Sequence, residues 1–548
     1  MSSQLEQFKH AVDLQREALR CIGESLAKRI QSSGRITPEG LGCVQVEAVA
    51  LARFLAEHAA AEALLEYAGQ QSQGEFERRL ACAYTGQSIA HLAARLRYDY
   101  SSFGIPSRTN LNKLFSTADE LSAQIGSEGW TAIGRMVLLR ERELSGSAGL
   151  DAIHREYRDV FSKFSDSVVA PLAEEIHRKD RVIPDSILQQ LAELGAFGIS
   201  IPEKYGGNYI DHLVMIIATE ELSRASLGAG GSVLTRPEIC AKALLAGGTE
   251  EQKQRWLPVI ASGEKMVCVA VTEPNTGSDV ASVAVTASNA GKGYLINGEK
   301  TWVTFAGRSE IICLLARTGP PQSGHKSLSL FLVEKPYDSA NTEGEYQFRY
   351  AQPGGGVIEG HAIPTIGYRG MHSFSVTFEN YFVPQENLIG KEGEGFYLQL
   401  QGFAGGRIQT AARAVGLMEA AFRAAVGYAK SRKLFGQDLA DFALTQHKLA
   451  RMASKIQASR QLAYCVASMM DHGQGGSEAS LVKLLACRDA EWVTREAMQL
   501  HGGMGYSEEY PVSRYFLDAR VLSIFEGAEE VLALQVIARP FLQQFLQD

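Results

Sequence analysis

The hydrophobic pattern of the chain changes its period twice, and this change limits the folds that its 548 residues can adopt. Apolar residues recur at helical spacing through the first part of the chain, as at Ile89, Leu92 and Leu96. Between Lys265 and Leu388, short runs such as MVCVAV and GYLINGEKTWVT are rich in β-branched and aromatic residues, and turn signals separate them. Helical spacing then returns. The sequence therefore predicts a mainly α fold with one antiparallel sheet domain in its middle.

These changes predict four domains. Residues 1–149 and 150–264 form two helical domains, residues 265–388 form the β domain, and residues 389–548 form a C-terminal helical domain. The stretch ELSGSAGLD, around residues 145–149, predicts a hinge after the first domain. That domain carries no cluster of catalytic residue types, so a regulatory or partner-binding role and a purely packing role both remain open. The long polar stretch 336–360 predicts a loop that is functional or disordered.

Charge and cysteine spacing exclude several classes of protein. The net charge of −8 argues against nucleic acid or an anionic membrane as a partner, since both favour basic surfaces. The eight cysteines are far apart and form no CxxC pair, so we expect reduced residues rather than disulfides, and no metal site. The first residues lack the pattern of a signal peptide, and no apolar run is long enough to cross a bilayer. A cytoplasmic protein is the expectation.

The common nucleotide and hydrolase motifs are missing. The glycine-rich stretches GAGGS at Gly228 and GGMG at Gly502 follow no predicted strand and belong to no βαβ unit, so neither predicts a dinucleotide-binding loop. The sequence also contains no Walker A motif, no HExxH and no GxSxG. Triphosphatase and hydrolase functions therefore lose their usual support.

Five other stretches, taken in order, resemble the acyl-CoA dehydrogenase family. They are VTEPNTGSDVAS (271–282), EKTWVT (299–304), SRKLFG (431–436), QLHGGMGYSEEYPVSRYFLDAR (499–520) and IFEGAEE (524–530). IPEKYGG and GTEEQKQRWLP are similar to the N-terminal helical domain of the same family. The resemblance covers residues 150–548. It implies a helical domain, a β-barrel-like middle domain and a four-helix C-terminal domain, so that residues 1–149 are an extra N-terminal helical domain.

The resemblance also implies FAD as the cofactor. The residues at the matching positions are Val269, Val271, Thr272, Gly277, Ser278, Trp302, Val303, Thr304, Arg432, Phe435, Gln499, Leu500, His501, Gly502, Gly503, Ala528 and Glu530. Trp302 is expected to cover the flavin, and the alternative for it is a place in the core of the sheet. Arg432 and Phe435 match residues that reach the FAD of a neighbouring subunit, which implies a homodimer or homotetramer. An arginine suits this role because its fork matches phosphate oxygens.

Glu526 matches the catalytic base of the family. The implied reaction removes the α-proton of an acyl-CoA thioester while hydride leaves the β-carbon for the flavin. A water-poor pocket raises the pKa of a carboxylate toward that of a useful base, and the apolar neighbours Ile524 and Phe525 predict such a pocket. Gly527 leaves room for the substrate. The alternative is that Glu526 is only an acidic residue at a helix N-terminus.

The chain departs from the family pattern at a few positions. A minority branch carries its base directly before the arginine that matches Arg407, but here Gly406 stands in that place, which favours Glu526. The family glutamine that contacts FAD falls at Ala443, so this hydrogen bond is lost unless Gln446 replaces it. The threonine usual after the catalytic Glu-Gly pair is Ala528, which leaves a backbone contact only.

The expected substrate residues are Ser278, Arg407, Gly527, Arg236 and Arg369. Acyl pockets for straight chains are apolar where Arg236 falls, and a buried arginine without a carboxylate partner is costly. Together with the N-terminal extension, an arginine at position 236 resembles the branch of the family that oxidises (2S)-methylsuccinyl-CoA to mesaconyl-CoA. The resemblance implies that Arg236 and Arg369 hold the free carboxylate of the substrate.

Several alternatives remain open. Either arginine could instead pair with a nearby Glu or with a CoA phosphate. The substrate could be a short-chain or branched monocarboxylic acyl-CoA. An acyl-CoA oxidase is possible in place of a dehydrogenase that reduces an electron-transfer flavoprotein, and a non-catalytic flavin-binding protein is a remote alternative.

Overall fold

A computed structural model describes residues 2–32, 34–337 and 346–546 of the chain. Contacts between Cα atoms divide it into two compact units. One contains Met1–Arg155 and Thr410–Asp548, and the other contains Glu156–Gln409. The four-domain division stays a prediction, since the units follow contacts rather than sequence character. The elements are given below in chain order.

Five helices fill the N-terminal part of the first unit. They are α1 (Ser2–Ile30), α2 (Pro38–Gly42), α3 (Gln45–Gly69), α4 (Glu75–Asp99) and α5 (Asn112–Leu139). The short strands β1 (Gln31–Ser32) and β2 (Arg35–Ile36) pair between the first two. The Thr37 side chain caps α2 by accepting from the Gly40 N–H. The triple of Ile89, Leu92 and Leu96 is fully buried on α4, so the helical periodicity found there is confirmed.

Helices also occupy the start of the second unit, and the first of them begins in the first unit, just before Glu156. They are α6 (Ala152–Phe164), α7 (Ala170–Arg178), α8 (Asp185–Glu193), α9 (His212–Ala225), α10 (Thr235–Gly247) and α11 (Glu250–Ala261). The glycine-rich stretch before α10 forms a π-helical turn, Leu227–Gly231. Thr249 and Gln252 form a capping box at the start of α11, each side chain accepting the backbone N–H of the other. This explains why GTEEQ marks a helix start.

Among the described residues, nine strands form the sheet of the second unit. They are β3 (Val267–Ala270), β4 (Thr286–Asn289), β5 (Gly293–Thr304), β6 (Ile311–Arg317), β7 (Leu328–Glu334), β8 (Gln347–Ala351), β9 (Val357–Ala362), β10 (Ser373–Pro384) and β11 (Leu388–Ile389). Their order is β11-β7-β6-β4-β5-β10-β9-β8, with β3 beside β6. The described strands make an open sheet rather than a closed barrel, and its buried faces are lined by residues such as Ile312, Leu314 and Phe331.

Two predictions about the sheet need correction. The sheet is not wholly antiparallel, because β3 and β6 run parallel from Val267 opposite Ile311 to Ala270 opposite Leu314. The polar stretch 336–360 is not all loop either, since it contains β8 and the first four residues of β9, which form an antiparallel hairpin. Residues 338–345 of that stretch lie outside the described residues. The sequence missed the hairpin because its strands are short and polar at the edge of the sheet.

The C-terminal part of the chain is helical, as predicted. Its helices are α12 (Gly395–Ser431), α13 (Ala443–Asp471), α14 (Glu478–Leu500), α15 (Val512–Leu522), α16 (Glu529–Val531) and α17 (Arg539–Gln544). The strands β12 (Lys433–Leu434) and β13 (Gln437–Asp438) form a small hairpin after α12. Within the first unit, α3 and α5 pack directly on α13, so the extra N-terminal helices share a core with the C-terminal bundle.

The segment predicted as a hinge is held on both sides instead. The Ser145 hydroxyl donates to Glu419 on α12 at 2.7 Å and accepts from Arg460 on α13 at 3.1 Å. The Ala148 carbonyl accepts from Gln461 at 3.1 Å. Ser145 and Ala148 are both buried. Residues 145–149 therefore form a strap bound to the bundle, and the hinge prediction is wrong.

A glycine sets the closeness of α5 to α13. A Cβ atom at Gly134 would lie 2.0 Å from the carbonyl oxygen of Gln446, which no flexible side chain can relieve. We expect Gly134→Ala to separate the helices and to lower the free energy of unfolding by about 1–3 kcal/mol. Urea denaturation followed by circular dichroism measures this change.

The control for this prediction is a second glycine of the same helix. A Cβ atom at Gly129 would meet only the Ile125 side chain, at 3.5 Å. We expect Gly129→Ala to raise the free energy of unfolding by about 0.5–1 kcal/mol, because alanine favours helix more than glycine does. Equal effects of the two substitutions would contradict a close contact at Gly134.

Candidate active site

In the second unit, a buried ion pair fixes the loop that follows β3. Lys300 is fully buried on β5, and its Nζ donates to Glu273 Oε1 at 2.7 Å and to the Val271 carbonyl at 2.9 Å. The Glu273 carboxylate also accepts the backbone N–H groups of Ala284 at 2.6 Å and Val285 at 2.9 Å. Burial lowers the pKa of Lys300 to about 8, although Glu273 opposes this. Both ends of loop 271–285 are thereby held to the sheet.

The predicted cofactor residues of this loop differ in exposure. Gly277 and Ser278 are exposed, Val269 and Thr272 are half-buried, and Val271 is buried. The loop lies against β5, where the Thr272 carbonyl accepts the N–H of Thr301 at 2.9 Å. The structure thus brings the loop beside the strand that carries Trp302.

Trp302 stands on an irregularity of β5. The pairing of β5 with β10 shifts between Lys300 and Val303, so two residues face one at this point, as in a β-bulge. Trp302 has φ +58°, which is uncommon for a bulky residue, and it is 55% exposed. Its exposure excludes the alternative that it belongs to the core of the sheet. A strained backbone that presents an aromatic face outward suits a surface on which a planar ring can stack.

The side chains of the two residues after Trp302 point into the interior of the protein. Val303 is fully buried, so its side chain contacts the core and only its backbone can reach a ligand. Thr304 is also buried, and its hydroxyl shares a hydrogen bond of 3.0 Å with Ser373. Of the three predicted residues of β5, Trp302 alone presents its side chain to the outside.

Arg236 is a buried cation on α10. It is 6% exposed, and its Nη1 donates to the Ser232 carbonyl at 3.1 Å. In the described part of the chain, no carboxylate lies within ion-pair distance of it. Its neighbour Glu238 pairs instead with Lys242 at 2.7 Å, and the other carboxylate oxygen of Glu238 is buried without a hydrogen-bond partner. A buried guanidinium of this kind needs an anion to offset its lost hydration.

Arg369 differs from Arg236 because it has a local acidic partner. Its Nε lies 3.2 Å from Asp180 Oδ1, and its Nη1 donates to the His177 carbonyl at 2.7 Å. His372 contacts the same Asp180 oxygen at 3.0 Å. The geometry therefore favours the alternative of a local pair for Arg369, and we do not propose it as a ligand of a substrate carboxylate.

Glycines allow α12, the helix that carries Arg407, to lie close to α10. A Cβ atom at Gly402 of α12 would lie 3.2 Å from the Ile239 carbonyl, and one at Gly405 would lie 2.9 Å from Glu238 Oε1. Arg407, two residues further along, is half-buried, and Gly406 before it is buried. Within the second unit, the helices of Arg236 and Arg407 are thus in direct contact.

In the first unit, Glu526 lies in a tight turn between α15 and α16. Its φ is +54° and that of Gly527 is +98°. The Gly527 carbonyl accepts from Lys483 of α14 at 2.6 Å, and the Glu529 N–H donates to the Ser523 carbonyl at 3.1 Å. Glu526 stands two residues before the cap of a three-residue helix, which weakens the alternative of a simple helix-terminal charge. A positive φ held by its surroundings is a frequent feature of functional positions.

The apolar cover predicted for Glu526 is only partly present. Phe525 is half-buried and lies under the Arg413 guanidinium, 4.7 Å from its ring centre. Ile524, however, is 53% exposed, and Glu526 itself is half-buried. Ile524 therefore does not shield the carboxylate as the sequence predicted, because the turn aims it outward.

The hairpin β12–β13 presents its predicted residues outward. Phe435, at its tip, is 91% exposed with φ +51°, and Arg432 and Leu434 are also exposed. An aromatic residue held out in this way suits contact with another molecule. Gln446, the possible replacement for the family glutamine, is buried and donates its amide to the Ala440 carbonyl at 3.0 Å. That donor is thus engaged within the chain.

The segment after α14 combines a buried histidine with exposed glycines. His501 stacks on Tyr428 with ring centres 4.3 Å apart, and its Nδ1 donates to the Ala497 carbonyl at 2.7 Å. Burial lowers the pKa of His501, which favours the neutral ring. Gln499, Gly502 and Gly503 are exposed and Leu500 is half-buried. These exposed residues leave the backbone accessible to a ligand.

The end of the Glu526 turn contains a contact that the sequence did not reveal. Ala528 is half-buried and Glu530 is exposed, but the Glu529 carboxylate between them binds Arg488 of α14 and Arg53 of α3. Arg53 lies 476 residues before Glu529 in the chain. No local pattern could have paired them, because the contact depends on how α3 docks.

Across the described ranges, no helix is long and apolar enough to cross a membrane. Nor do the described residues contain a group of three or more His, Cys, Asp or Glu side chains suited to a metal ion.

Comparisons with known proteins cover most of the chain. Models of the acyl-CoA dehydrogenase N-terminal, middle and C-terminal domains match residues 151–264, 268–381 and 393–541. The (2S)-methylsuccinyl-CoA dehydrogenase of Cereibacter sphaeroides is 37% identical over 537 residues, which is 94% of each chain.

Solved structures match a smaller share of the chain than the Cereibacter protein does. The butyryl-CoA dehydrogenase of Megasphaera elsdenii has a TM-score of 0.65 and 32% identity, and covers 71% of this chain and 97% of its own. A glutaryl-coenzyme A dehydrogenase in complex with glutaryl-CoA has a TM-score of 0.64 and 29% identity, and covers 70% and 93%. The Cereibacter protein thus also matches the N-terminal extension, which these two structures do not cover.

Proposed function

The chain is a member of the acyl-CoA dehydrogenase family, and on this premise we propose that it oxidises (2S)-methylsuccinyl-CoA to mesaconyl-CoA. Enzymes of this family are oxidoreductases that act on a CH–CH bond of an acyl-CoA. The observation that carries the choice of substrate is Arg236, a buried guanidinium to which the described chain offers no carboxylate.

FAD is the cofactor that the residues support. The exposed indole of Trp302 lies beside loop 271–278, whose exposed Gly277 and Ser278 and half-buried Thr272 suit contacts to a flavin ring and its chain. When bound, FAD supplies the acceptor for the hydride that leaves the β-carbon of the substrate. The exposed Arg432 and Phe435 suit contacts with the cofactor of a second subunit, so we propose at least a homodimer.

Glu526 is proposed as the base that takes the α-proton. Its turn is held by hydrogen bonds at Gly527 and Glu529, so the carboxylate is presented from a fixed backbone. The Glu526 N–H donates to no atom in the described part of the chain, so it is available to the thioester oxygen, where negative charge develops. Since Ile524 is exposed, the bound substrate itself must exclude water from the carboxylate.

Arg236 is proposed to hold the free carboxylate of the substrate. A charge-assisted hydrogen bond from a buried guanidinium satisfies both the cation and the anion. The relative from Cereibacter sphaeroides, matched over nearly all of its length, is named for a dicarboxylic acyl-CoA, which agrees with this assignment. A monocarboxylic acyl-CoA would leave Arg236 buried without an anion. We propose an electron-transfer flavoprotein as the acceptor, and peroxide release in air without it would favour an oxidase instead.

The substrate assignment can be tested by replacing Arg236 with methionine, which keeps an unbranched apolar stem and removes the charge. Removing one partner of a buried charge pair costs roughly 2–5 kcal/mol, so we expect methylsuccinyl-CoA to reduce the flavin at least about thirtyfold less efficiently. With butyryl-CoA, the variant should reduce its flavin at least as efficiently as the wild type does. Anaerobic loss of flavin absorbance gives kcat/KM for both substrates.

Arg369→Met is the matched control, because Arg369 is paired with Asp180. We expect Arg369→Met to change kcat/KM for methylsuccinyl-CoA and for butyryl-CoA by the same factor. An equal loss on methylsuccinyl-CoA and butyryl-CoA in Arg236→Met would contradict the carboxylate role. No flavin reduction by any mono- or dicarboxylic acyl-CoA would contradict the proposed function as a whole.

A further inference from the structure

We propose that Arg53, in the extra N-terminal helix α3, is a positioning residue for the turn that carries Glu526. Acting through Glu529, it holds the far end of this turn and so sets the orientation of the carboxylate. This role rests on the function proposed above, because it assumes that Glu526 is the base. It gives the N-terminal helices an indirect part in the chemistry, through the placement of the base.

The contact is a shared ion pair. Arg53 Nη2 donates to Glu529 Oε1 at 2.8 Å, and Arg488 Nη1 donates to the same oxygen. The Glu529 side chain is 16% exposed. Burial raises its pKa, but the two arginines outweigh burial and lower it, so the carboxylate is ionised at neutral pH. The two cations therefore fix Glu529 from α3 and from α14.

The backbone of Glu529 closes the tight turn that contains Glu526. Its backbone N–H donates to the Ser523 carbonyl at 3.1 Å, and these two residues enclose the base in a loop of seven. On the side of α14, Lys483 binds the Gly527 carbonyl and Glu491 accepts from the Ser523 hydroxyl. The turn is thus anchored repeatedly to α14.

Packing alone does not fix the turn on the side of α3. A cavity of about 640 Å³ lies between α3, α4 and the chain after Glu529, and Val49, Arg53, Glu530 and Leu534 are among its lining residues. Side-chain packing does not fill this groove, although α3 packs on the chain that follows Glu529. The Arg53–Glu529 pair spans this side and holds the turn to α3.

A pair with one partner open to solvent contributes little to stability, and this separates a positioning role from a structural one. The Arg53 side chain is 41% exposed, so solvent screens its attraction to Glu529. A base that shifts by about 1 Å can nevertheless lose roughly a hundredfold in rate. We therefore expect a loss of kcat with little change in thermal stability.

The experiment uses the full-length holoenzyme with Arg53→Met, Arg53→Lys and Arg16→Met. Arg16 is the matched control, because it also forms an ion pair with α3, at Glu62, away from the turn. In Arg53→Met we expect kcat for flavin reduction to fall about tenfold to a hundredfold while KM changes little. Arg53→Lys should recover part of the loss, and Arg16→Met should match the wild type. The substrate is whichever acyl-CoA reduces the wild-type flavin.

A second measurement needs no substrate. Hydrogen–deuterium exchange of the peptide that covers residues 523–531 should be faster in Arg53→Met than in the wild type or Arg16→Met. Adding Arg53→Met to Glu529→Gln should have little further effect, since Glu529→Gln already weakens the contacts of both Arg53 and Arg488.

The proposal is overturned if either kcat or the exchange of residues 523–531 in Arg53→Met equals that of the wild type. Additive effects in the double variant also overturn it, because Arg53 would then act through another group. If no acyl-CoA reduces the wild-type flavin, the proposed function fails, and the exchange measurement alone still decides whether Arg53 holds the turn.

Discussion

Glu526→Gln is expected to slow flavin reduction by the acyl-CoA substrate about 10⁴-fold, at the upper end of what a general base contributes. Glutamine keeps the size of the side chain and its place on the turn, where φ is +54°, but an amide cannot accept the α-proton. The loss should fall on kcat rather than on KM, because the carboxylate acts in the transition state. Anaerobic stopped-flow absorbance of the flavin measures the rate.

The FAD content of Glu526→Gln should equal that of the wild type, which shows that the site is intact. Glu508→Gln is the control, because Glu508 is an exposed carboxylate of the same unit outside the proposed site. It should leave the rate unchanged. If Glu526→Gln kept a rate within about tenfold of the wild type, another group would have to be the base.

Glu419→Gln is expected to lower the free energy of unfolding by about 3–5 kcal/mol, as breaking a buried ion pair does. Glu419 is buried and lies 3.2 Å from Arg460 and 3.0 Å from Arg423, and it also accepts from Ser145 of the strap. The substitution removes the charge that compensates the buried Arg460 guanidinium. Urea denaturation followed by tryptophan fluorescence and circular dichroism measures the change.

The effect of Glu419→Gln should depend on pH in a defined direction. Burial raises the pKa of Glu419, but Arg460 and Arg423 outweigh it and lower the pKa from 4.5 to about 2. The ion pairs of Glu419 therefore stabilise the protein fully when the pH is above the ordinary carboxylate pKa. This stabilisation is lost as the pH falls toward the pKa of Glu419 in the folded protein. The difference between the wild type and the variant should stay constant near neutral pH and shrink in acid. Glu62→Gln, which removes a half-buried carboxylate paired with Arg16, is the control and should lower the free energy of unfolding far less than Glu419→Gln does.

Local patterns in the sequence predicted the regular elements well. The stretch GYLINGEKTWVT corresponds to β5 at both ends, since it is rich in β-branched and aromatic residues and turn signals flank it. The helices of the N-terminal and C-terminal parts were also expected from their periodicity. Trp302 was correctly separated from a core position by its motif, and its exposure agrees.

The features that were missed depend on contacts between distant residues. Nothing near ELSGSAGLD shows that Ser145 would meet Glu419 and Arg460, so the segment resembled a flexible hinge. The pairing of Arg369 with Asp180 joins two loops, and that of Arg53 with Glu529 joins the two ends of the chain. Whether a buried arginine has a partner is decided by tertiary structure, which a single sequence does not display.

The discontinuous make-up of the first unit also has a consequence for how the protein is made. Its two parts, Met1–Arg155 and Thr410–Asp548, are separated by the whole of the other unit. At ordinary rates of synthesis, the ribosome needs on the order of 10–50 s to reach Thr410 after Arg155. Until then the apolar faces of α3 and α5 have no bundle to cover them, so chaperones that shield nascent chains should bind this protein early.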